Sequence, residues 1–173
     1  SGISVFPPQR SPAGMPASAD TSPHLTEPAA QAAPSPLRSA VHMIFTRTLE
    51  AGKCKTRLIP TQGEAGALLI HRRLVEQALR IAGEFQQQSD CTVQVHYAGS
   101  HPQELAQLVQ TAGLQAGLQP QSAGDLGARL QTAFTQAAEQ GHTPLLVIGS
   151  DCPELTATDL LDAWQTLQIH DAV

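Results

Sequence analysis

The chain has few aromatic residues and few basic ones. Aromatic side chains make up 3% of its 173 residues, and 10 Lys and Arg stand against 15 Asp and Glu, for a formal net charge of -5. Proteins that bind nucleic acids usually carry an extended basic face, with aromatic side chains for stacking where the target is single-stranded. The composition therefore argues against nucleic acid as a partner.

Long apolar runs and paired cysteines are also missing. No stretch approaches the roughly 20 consecutive apolar residues that a membrane-spanning helix needs, and the N-terminal residues lack the basic region and apolar core of a secretory signal. Cys54, Cys91 and Cys152 form an odd set without a Cys-x-x-Cys pair, which fits free thiols in a reducing compartment better than disulfides or a zinc site. We therefore predict a cytoplasmic protein with no membrane partner.

The first 40 residues differ from the rest in composition. They hold eight of the 13 prolines among Ser, Ala, Gln and Thr, with four charged residues and no sustained apolar period. Such a segment cannot bury enough apolar surface to offset the entropy of ordering it. We predict that residues 1–40 are a disordered tail or linker and that the folded unit is residues 41–173.

Apolar periodicity predicts alternating strands and helices in this unit. Strands are predicted at 41–45, 91–98, 114–119 and 144–149, helices at 64–87, 102–112, from 126 and after Thr156, and a further strand beginning at 170. The continuously apolar run at 145–148 is typical of a central strand covered on both faces. Asp159 follows Thr156 at the spacing of a capping box. Strands that alternate with helices indicate an α/β fold with a largely parallel sheet.

Four of the ten basic residues fall within eleven positions directly after the first predicted strand: Arg47, Lys53, Lys55 and Arg57. Open α/β sheets bind ligands in the crevice at the carboxyl ends of their strands, so a cationic cluster there indicates a site for an anionic small molecule. The alternative is a solvated loop whose lysines keep the protein soluble. The spacing is not that of a P-loop, because only Gly52 precedes the first lysine and a second glycine is required.

Two aspartates occupy positions where a ligand could be held. Asp125 lies between Gly124 and Gly127 just before a predicted helix, where it either caps the helix or leaves the backbone open to a ligand. Asp151 follows the strand at 144–149, where it either forms a turn or binds Mg²⁺ or Mn²⁺ against a diphosphate, since hard cations prefer oxygen ligands. We favour the metal role for Asp151.

Three polar residues of the long helix and one histidine are interpreted without a functional role. We predict that His71, Arg72 and Arg73 are exposed on the helix at 64–87. His96 has no second ligand at metal-binding spacing, so we interpret it as structural.

Four motifs together resemble a family of bacterial glycosyltransferase-like proteins. They are Phe45-Thr-Arg, Glu50-Ala-Gly-Lys-Cys-Lys-Thr-Arg-Leu58, Gly124-Asp-Leu-Gly127 and Ile148-Gly-Ser-Asp-Cys-Pro153. The family includes arsenosugar-biosynthesis glycosyltransferases and radical-SAM or selenodomain-associated transferases, and at longer range it is similar to 2-phospholactate guanylyltransferase and sugar-phosphate nucleotidyltransferases. The resemblance covers residues 41–173. It implies a nucleotide-diphospho-sugar transferase fold, GT-A-like and Rossmann-like, with three layers and a mostly parallel sheet.

The resemblance also implies roles for individual residues. The loop from Gly52 to Arg57 would lie against the nucleotide, with Lys55 and Arg57 as the main phosphate contacts. Asp151 would bind Mg²⁺ or Mn²⁺, which neutralises the leaving diphosphate. The implied nucleotide-binding and phosphate-binding residues are Arg47, Gly52, Lys53, Lys55, Thr56, Arg57, Gly124 and Asp125.

The family's pattern continues beyond Val173, into a further strand and a Glu/Asp-Gly-Gly-Tyr loop on the acceptor side, so we expect this chain to be C-terminally truncated relative to it. Three functions stay open. They are a metal-dependent glycosyltransferase with a nucleotide-diphospho-sugar donor, a nucleotidyltransferase that forms a nucleoside diphosphate conjugate from a nucleoside triphosphate, and a non-catalytic nucleotide-binding fragment. The sequence identifies no base, sugar, acceptor, catalytic residue or oligomeric state.

Overall fold

Strands and helices alternate along the part of the chain that the structure, a computed structural model, describes: residues 40–173. The strands are β1 (Val41–Arg47), β2 (Thr92–Ala98), β3 (Ala116–Pro120) and β4 (Leu145–Gly149). The helices are α1 (Ile59–Gln87), α2 (Gln103–Thr111), α3 (Leu126–Glu139) and α4 (Ala157–Thr166), with a short 3-10 turn at Thr56–Leu58. The alternation confirms the predicted α/β class.

The strands form one parallel sheet in the order β3-β2-β1-β4. Phe45 of β1 pairs with His96 of β2 and with Gly149 of β4, so these three strands end at the same edge of the sheet. The prediction of a central strand at 144–149 is wrong in position, because β4 lies at an edge of the described sheet and β1 is central. Its apolar run is nevertheless covered on both faces, with Leu146 and Ile148 packed on one side and Leu145 and Val147 on the other.

Helices cover both faces of the sheet and give three layers. On one face, α1, α2 and α4 pack with Ile44 of β1 and with Val93 and Val95 of β2. On the other face, α3 packs through Ala133, Phe134 and Ala137 against Val41, Met43 and Phe45 of β1. These contacts alternate along β1 because successive strand side chains point to opposite faces. The three-layer arrangement agrees with the fold that the sequence resemblance implied.

The long helix α1 buries one residue that was expected to be exposed. Its regular part follows Gly63, whose φ of 68° and ψ of 171° break the helix near the predicted start at 64. His71 is buried, at 3% exposure, so the prediction that it is an exposed polar residue is wrong. The physical reason is its spacing: His71 lies four residues after Ala67 and four before Val75, both buried, and residues four apart share one helix face.

Two further expectations concern the ends of the chain. The segment at 170–173 forms no strand and is exposed, so the prediction of a strand there is wrong within the described residues; no neighbouring strand pairs with it. The interpretation of residues 1–40 as a tail falls outside the described residues except for Ala40, which is 2% exposed and accepts a hydrogen bond from the Thr92 amide. None of the helices within residues 40–173 has the length and apolar character to cross a membrane.

Thr156→Ala is expected to lower the free energy of unfolding by about 1 kcal/mol. Thr156 and Asp159 form the predicted capping box, in which the Thr156 hydroxyl accepts from the Asp159 amide at 3.2 Å and the Asp159 carboxylate accepts from the Thr156 amide at 2.8 Å. Urea unfolding measures the change. Thr111→Ala is the control, because that hydroxyl bonds only the Gln107 carbonyl within α2. Equal effects in both variants would show that the capping box contributes nothing.

Candidate functional site

A cavity of about 800 Å³ lies at the carboxyl edge of the sheet. Ligand sites in open α/β sheets lie at this edge, and the volume suits a small-molecule ligand. The ends of β1, β2 and β4, the β1–α1 loop and the N-terminal part of α3 form its walls. The lining residues are Phe45, Thr46, Arg47, Lys53, Lys55, Thr56, Arg57, Leu58, His71, Ala98, Gln121, Leu126, Arg129, Gly149, Ser150 and Asp151.

The cavity concentrates positive charge in an acidic protein. Of the eight Lys and Arg within residues 40–173, five line it, whereas Asp151 is the only one of the 13 described Asp and Glu that does. The lining therefore has four more positive than negative side chains, while the whole chain has a formal net charge of -5. A concave surface lined by one sign of charge attracts ligands of the opposite sign.

The cationic side chains differ in their partners. Lys55 Nζ lies 2.5 Å from Asp151 Oδ2, and Lys53 Nζ lies 2.5 Å from the carboxylate of Glu50, just outside the cavity. Within residues 40–173, the guanidinium groups of Arg47 and Arg57 make no hydrogen bond or ion pair. These two groups can therefore bind an anion without first breaking a contact.

The β1–α1 loop gives Lys55 an uncommon backbone conformation. Its φ of 49° and ψ of 42° place it in the left-handed region, and it is the only residue other than glycine with positive φ in the described chain. Such conformations are rare for residues with a Cβ and concentrate at functional sites. Lys55 directly precedes the 3-10 turn that carries Thr56 and Arg57. Its side chain contacts Asp151 and is 20% exposed.

Gln121 and Arg129 form a further part of the cavity wall. The Gln121 amide nitrogen donates to the carbonyls of Thr46 at 3.0 Å and His96 at 2.9 Å, which fixes it across the ends of β1 and β2. Arg129 donates to the Gly124 carbonyl at 2.8 Å and to the Gln121 side-chain oxygen at 3.3 Å. The wall thus holds a guanidinium group in place by two contacts.

Asp125 caps α3, as one of its two predicted interpretations requires. Its carboxylate accepts a hydrogen bond from the Ala128 amide at 2.9 Å. Of the residues predicted to contact the nucleotide, the structure brings Arg47, Lys53, Lys55, Thr56 and Arg57 to the cavity together with Asp151; Gly52, Gly124 and Asp125 lie beyond its lining. Gly124 contributes through its carbonyl, which holds Arg129.

Two buried histidines flank the site. His71 Nε2 lies 3.2 Å from the Arg47 carbonyl oxygen, which can only accept, so Nε2 carries the proton in this contact. Burial lowers the pKa of His71 below its usual value and so favours the neutral ring. His96 stacks on Phe45 with ring centroids 5.0 Å apart, and burial lowers its pKa to about 4. His96 therefore has the structural contacts that were predicted for it.

The side chains around Asp151 could hold a metal ion only if a bound substrate also coordinates it. Its side chain is 59% exposed beside Lys55, and within residues 40–173 no group of three or more His, Cys, Asp or Glu is placed to hold a metal ion. A Mg²⁺ ion, however, is commonly held by one or two carboxylates together with substrate phosphates and water. Asp151 fits that kind of site and does not fit an all-protein metal site.

Ten lining residues were not among the predicted site residues: Phe45, Thr46, Leu58, His71, Ala98, Gln121, Leu126, Arg129, Gly149 and Ser150. A signal existed for Arg129, because it is the only basic residue after Arg80 and follows the Gly124-Asp-Leu-Gly127 motif by two positions. Ser150 is fixed by a hydroxyl hydrogen bond from Thr46, 3.0 Å long, between the ends of β4 and β1. That contact joins residues 104 positions apart, and no local pattern announces it.

The fold is similar to that in the crystal structure of a protein from Desulfovibrio desulfuricans G20 described as a "putative nucleotide-diphospho-sugar transferase". The TM-score is 0.63 at 24% sequence identity, and the match covers 76% of this chain and 55% of that one. The chain thus spans about half the length of that structure, and the likeness shows the fold. No curated protein matches the sequence.

A family comparison covers the second half of the chain. Residues 80–173 match DUF2064, a family described as "uncharacterized protein conserved in bacteria". The matched segment begins within α1 and includes Arg129 and Asp151, which both line the cavity. Because the match covers more than half of the sequence, the chain belongs to the DUF2064 family.

Proposed function

We propose that the cavity binds the diphosphate of a nucleotide-diphospho-sugar and that the protein is a glycosyltransferase. The observation that carries this proposal is the charge of the lining, where five cationic side chains and a single carboxylate meet at the carboxyl edge of a parallel sheet. The fold shared with the Desulfovibrio protein and the sequence motifs of the β1–α1 loop support the same conclusion.

In this proposal, the loop cations bind the phosphates. Arg57 has no partner among the described residues and presents a planar group that matches two phosphate oxygens, whereas Lys55 acts as a point charge. When an acceptor attacks the sugar carbon, the bond to the diphosphate breaks and the diphosphate leaves with the electron pair. Cations fixed beside the leaving group stabilise the charge that develops on it.

Mg²⁺ or Mn²⁺ belongs to the proposal as a cation shared between Asp151 and the donor phosphates. When bound, such an ion neutralises charge on the leaving diphosphate. Lys55 currently contacts the Asp151 carboxylate, so its ammonium group must exchange that contact for a phosphate before the carboxylate is free. We therefore propose that the metal binds together with the nucleotide and only weakly without it.

A nucleotidyltransferase is the second candidate, and the excess of positive charge in the lining favours it. A nucleoside triphosphate carries more negative charge than a diphospho-sugar, and the lining has four more cationic than anionic side chains. In that reaction the acceptor attacks the α-phosphorus and pyrophosphate leaves. Release of pyrophosphate therefore distinguishes the two enzymes.

The cytoplasmic location stays a prediction. The chain spans about half the length of the solved structure it resembles, so the activity proposed here is that of the whole protein. A non-catalytic nucleotide-binding fragment would use the same cavity. Binding without turnover is its expected signature.

An amide NMR titration of the 173-residue chain tests the proposal. GTP and UDP-glucose are added in turn with Mg²⁺, and the titration is repeated with a chelator and with Asp151→Asn. We expect saturable shifts at 52–57 and at 150–151, because the cations line the cavity there. Asp151→Asn should keep the nucleotide response and lose its dependence on Mg²⁺, since it removes the only carboxylate that the described residues contribute to the lining.

The two ligands give distinguishable results. Stronger binding of GTP than of UDP-glucose, followed by pyrophosphate release, would favour the nucleotidyltransferase. Shifts confined to Arg73, which is exposed on α1, or no saturable shift with either ligand, would contradict nucleotide binding at this cavity. Arg73 serves as the internal reference, because it is exposed outside the lining.

A further inference from the structure

Glu50 is an acidic residue at the start of the loop that carries the phosphate-binding cations. Its side chain is only 12% exposed, although it lies between two loops at the surface. One carboxylate oxygen, Oε1, accepts hydrogen bonds from the Thr48 hydroxyl at 2.5 Å and from the Ser100 amide at 3.0 Å. The other, Oε2, meets Lys53 Nζ at 2.5 Å. The carboxylate therefore joins the β1–α1 loop to the turn after β2.

Gly99 lies in the turn after β2, next to Thr48 and Glu50, where there is no room for a side chain. A Cβ atom on Gly99 would overlap the Thr48 hydroxyl and lie 2.8 Å from Glu50 Oε1. Its φ of 131° is also a conformation that residues with a side chain rarely adopt. The turn thus approaches the carboxylate closely only because position 99 has no side chain.

The backbone around Glu50 is fixed from both directions. The Thr48 amide donates to the Ala98 carbonyl at 2.9 Å, which continues the pairing of β1 with β2 beyond the strand ends. The Thr48 carbonyl accepts from the Glu50 amide at 3.1 Å and contacts the buried Cys54 sulfur at 3.0 Å. The segment from 48 to 54 is therefore anchored to the sheet immediately before Lys55 and Arg57.

A carboxylate at this position works against the attraction of an anion. Hydrogen bonds from Lys53, Thr48 and Ser100 hold the pKa of Glu50 well below its usual range, so it stays ionised at neutral pH. It neutralises Lys53, one of the five cations in the lining. By charge alone, removal of Glu50 should strengthen phosphate binding. Any benefit from Glu50 must therefore come from geometry.

We infer that Glu50 is a positioning residue for the phosphate-binding loop, whose carboxylate ties the loop to the Gly99–Ser100 turn so that the following cations face the cavity. The inference rests on the proposed function, because it assigns the loop a phosphate ligand. Fixed geometry of charged groups contributes strongly to binding and catalysis, and displacement by about 1 Å can lower rates about 100-fold.

Calorimetric titration of the 173-residue chain with inorganic pyrophosphate tests this inference, because pyrophosphate carries the diphosphate without a base or sugar. Glu50→Ala should weaken pyrophosphate binding by about tenfold, since the loop loses its tie to the turn. Glu50→Gln keeps an acceptor oxygen for Thr48 and Ser100 while it removes the charge. It should bind pyrophosphate as tightly as the wild type or more tightly.

Glu64→Ala is the matched control for charge. Glu64 is exposed close to the same loop, beside Gly52, and within residues 40–173 it accepts no hydrogen bond. Its removal changes the net charge as Glu50→Ala does and leaves the tie intact, so binding should be unchanged or slightly tighter. Tighter binding by Glu50→Ala, or equal weakening by Glu50→Ala and Glu50→Gln, would overturn the inference.

Amide hydrogen exchange provides a second readout that requires no ligand. Glu50→Ala should speed exchange at residues 50–58 and leave the interior of β1 and β2 unchanged, because only the tie is lost. Gly99→Ala attacks the same junction without changing any charge and should have the same effect. Unchanged exchange in both variants would refute the positioning role. Absence of pyrophosphate binding by the wild type, with the exchange result obtained, would instead refute the proposed function.

Discussion

Arg57→Ala is expected to lower the affinity of the 173-residue chain for UDP or GDP by about 10- to 100-fold. A hydrogen bond between charged groups contributes about 1.5–3 kcal/mol, and the guanidinium group can make two such bonds to a diphosphate. Arg57 lines the cavity and has no other partner in the described chain. Because no internal contact of Arg57 has to break when the diphosphate binds, the variant should lose the full free energy of the Arg57–phosphate hydrogen bonds. Calorimetric titration at fixed, low ionic strength measures the change.

Arg73→Ala and Arg57→Lys separate the local contact from long-range charge. Arg73 is exposed on α1 outside the cavity, so Arg73→Ala removes the same charge and should change affinity less than about twofold. Arg57→Lys keeps the charge and loses the two-pronged geometry, so it should fall between the wild type and Arg57→Ala. Unchanged affinity in Arg57→Ala would mean that Arg57 makes no contact with the diphosphate.

The sequence predicted those parts of the fold that depend on local patterns. Alternating or continuous apolar residues located β1, β2 and β4, and the spacing of Thr156 and Asp159 predicted a capping box that the structure confirms. A capping box needs only four consecutive residues. It can therefore be predicted without knowledge of the rest of the chain.

The sheet topology decides which residues meet in the cavity, and local sequence patterns do not predict that topology. Lys55 and Asp151 are separated by almost a hundred residues and meet because β1 and β4 are paired in the sheet. The motifs identified both residues, but nothing in them predicted an ion pair. His71 was predicted to be exposed, although its spacing from Ala67 and Val75 places it on the buried face of α1. Its contact with the Arg47 carbonyl depends on the packing of α1 against β1.

The hydrophobicity of a strand does not show whether it lies at the edge or in the centre of the sheet. β4 is apolar on both faces because α3 and the α1 layer cover them, and this coverage is independent of how many strands pair beside it. Strand order follows from the parallel crossovers, which bring β4 back next to β1. A continuous apolar run therefore indicates coverage of both faces and leaves the position in the sheet open.

Acidification from pH 7 to pH 4 is expected to lower the free energy of unfolding by several kcal/mol. His42 is fully buried, neither of its ring nitrogens has a hydrogen-bond partner within residues 40–173, and burial lowers its pKa to about 4. His96 is 5% exposed, and its pKa is also lowered to about 4. Between pH 6.5 and 4, the unfolded chain binds protons at these positions that the folded chain excludes. Stability is therefore greatest above the unfolded pKa and falls towards the folded one, by about 3 kcal/mol per histidine.

Urea unfolding at pH 7, 5.5 and 4 measures this loss, and His42→Leu isolates the contribution of one of the two histidines. The His42 ring meets Phe85 edge-on, with centroids 5.5 Å apart, in an apolar environment that a leucine side chain can fill. The variant should be at least as stable as the wild type at pH 7, since two unpaired polar atoms are removed, and should lose less stability on acidification. His170→Leu, at an exposed position, should keep the wild-type pH dependence. If His42→Leu kept that dependence too, burial of a neutral His42 would not be the source of the acid sensitivity, and the loss would have to arise at other groups.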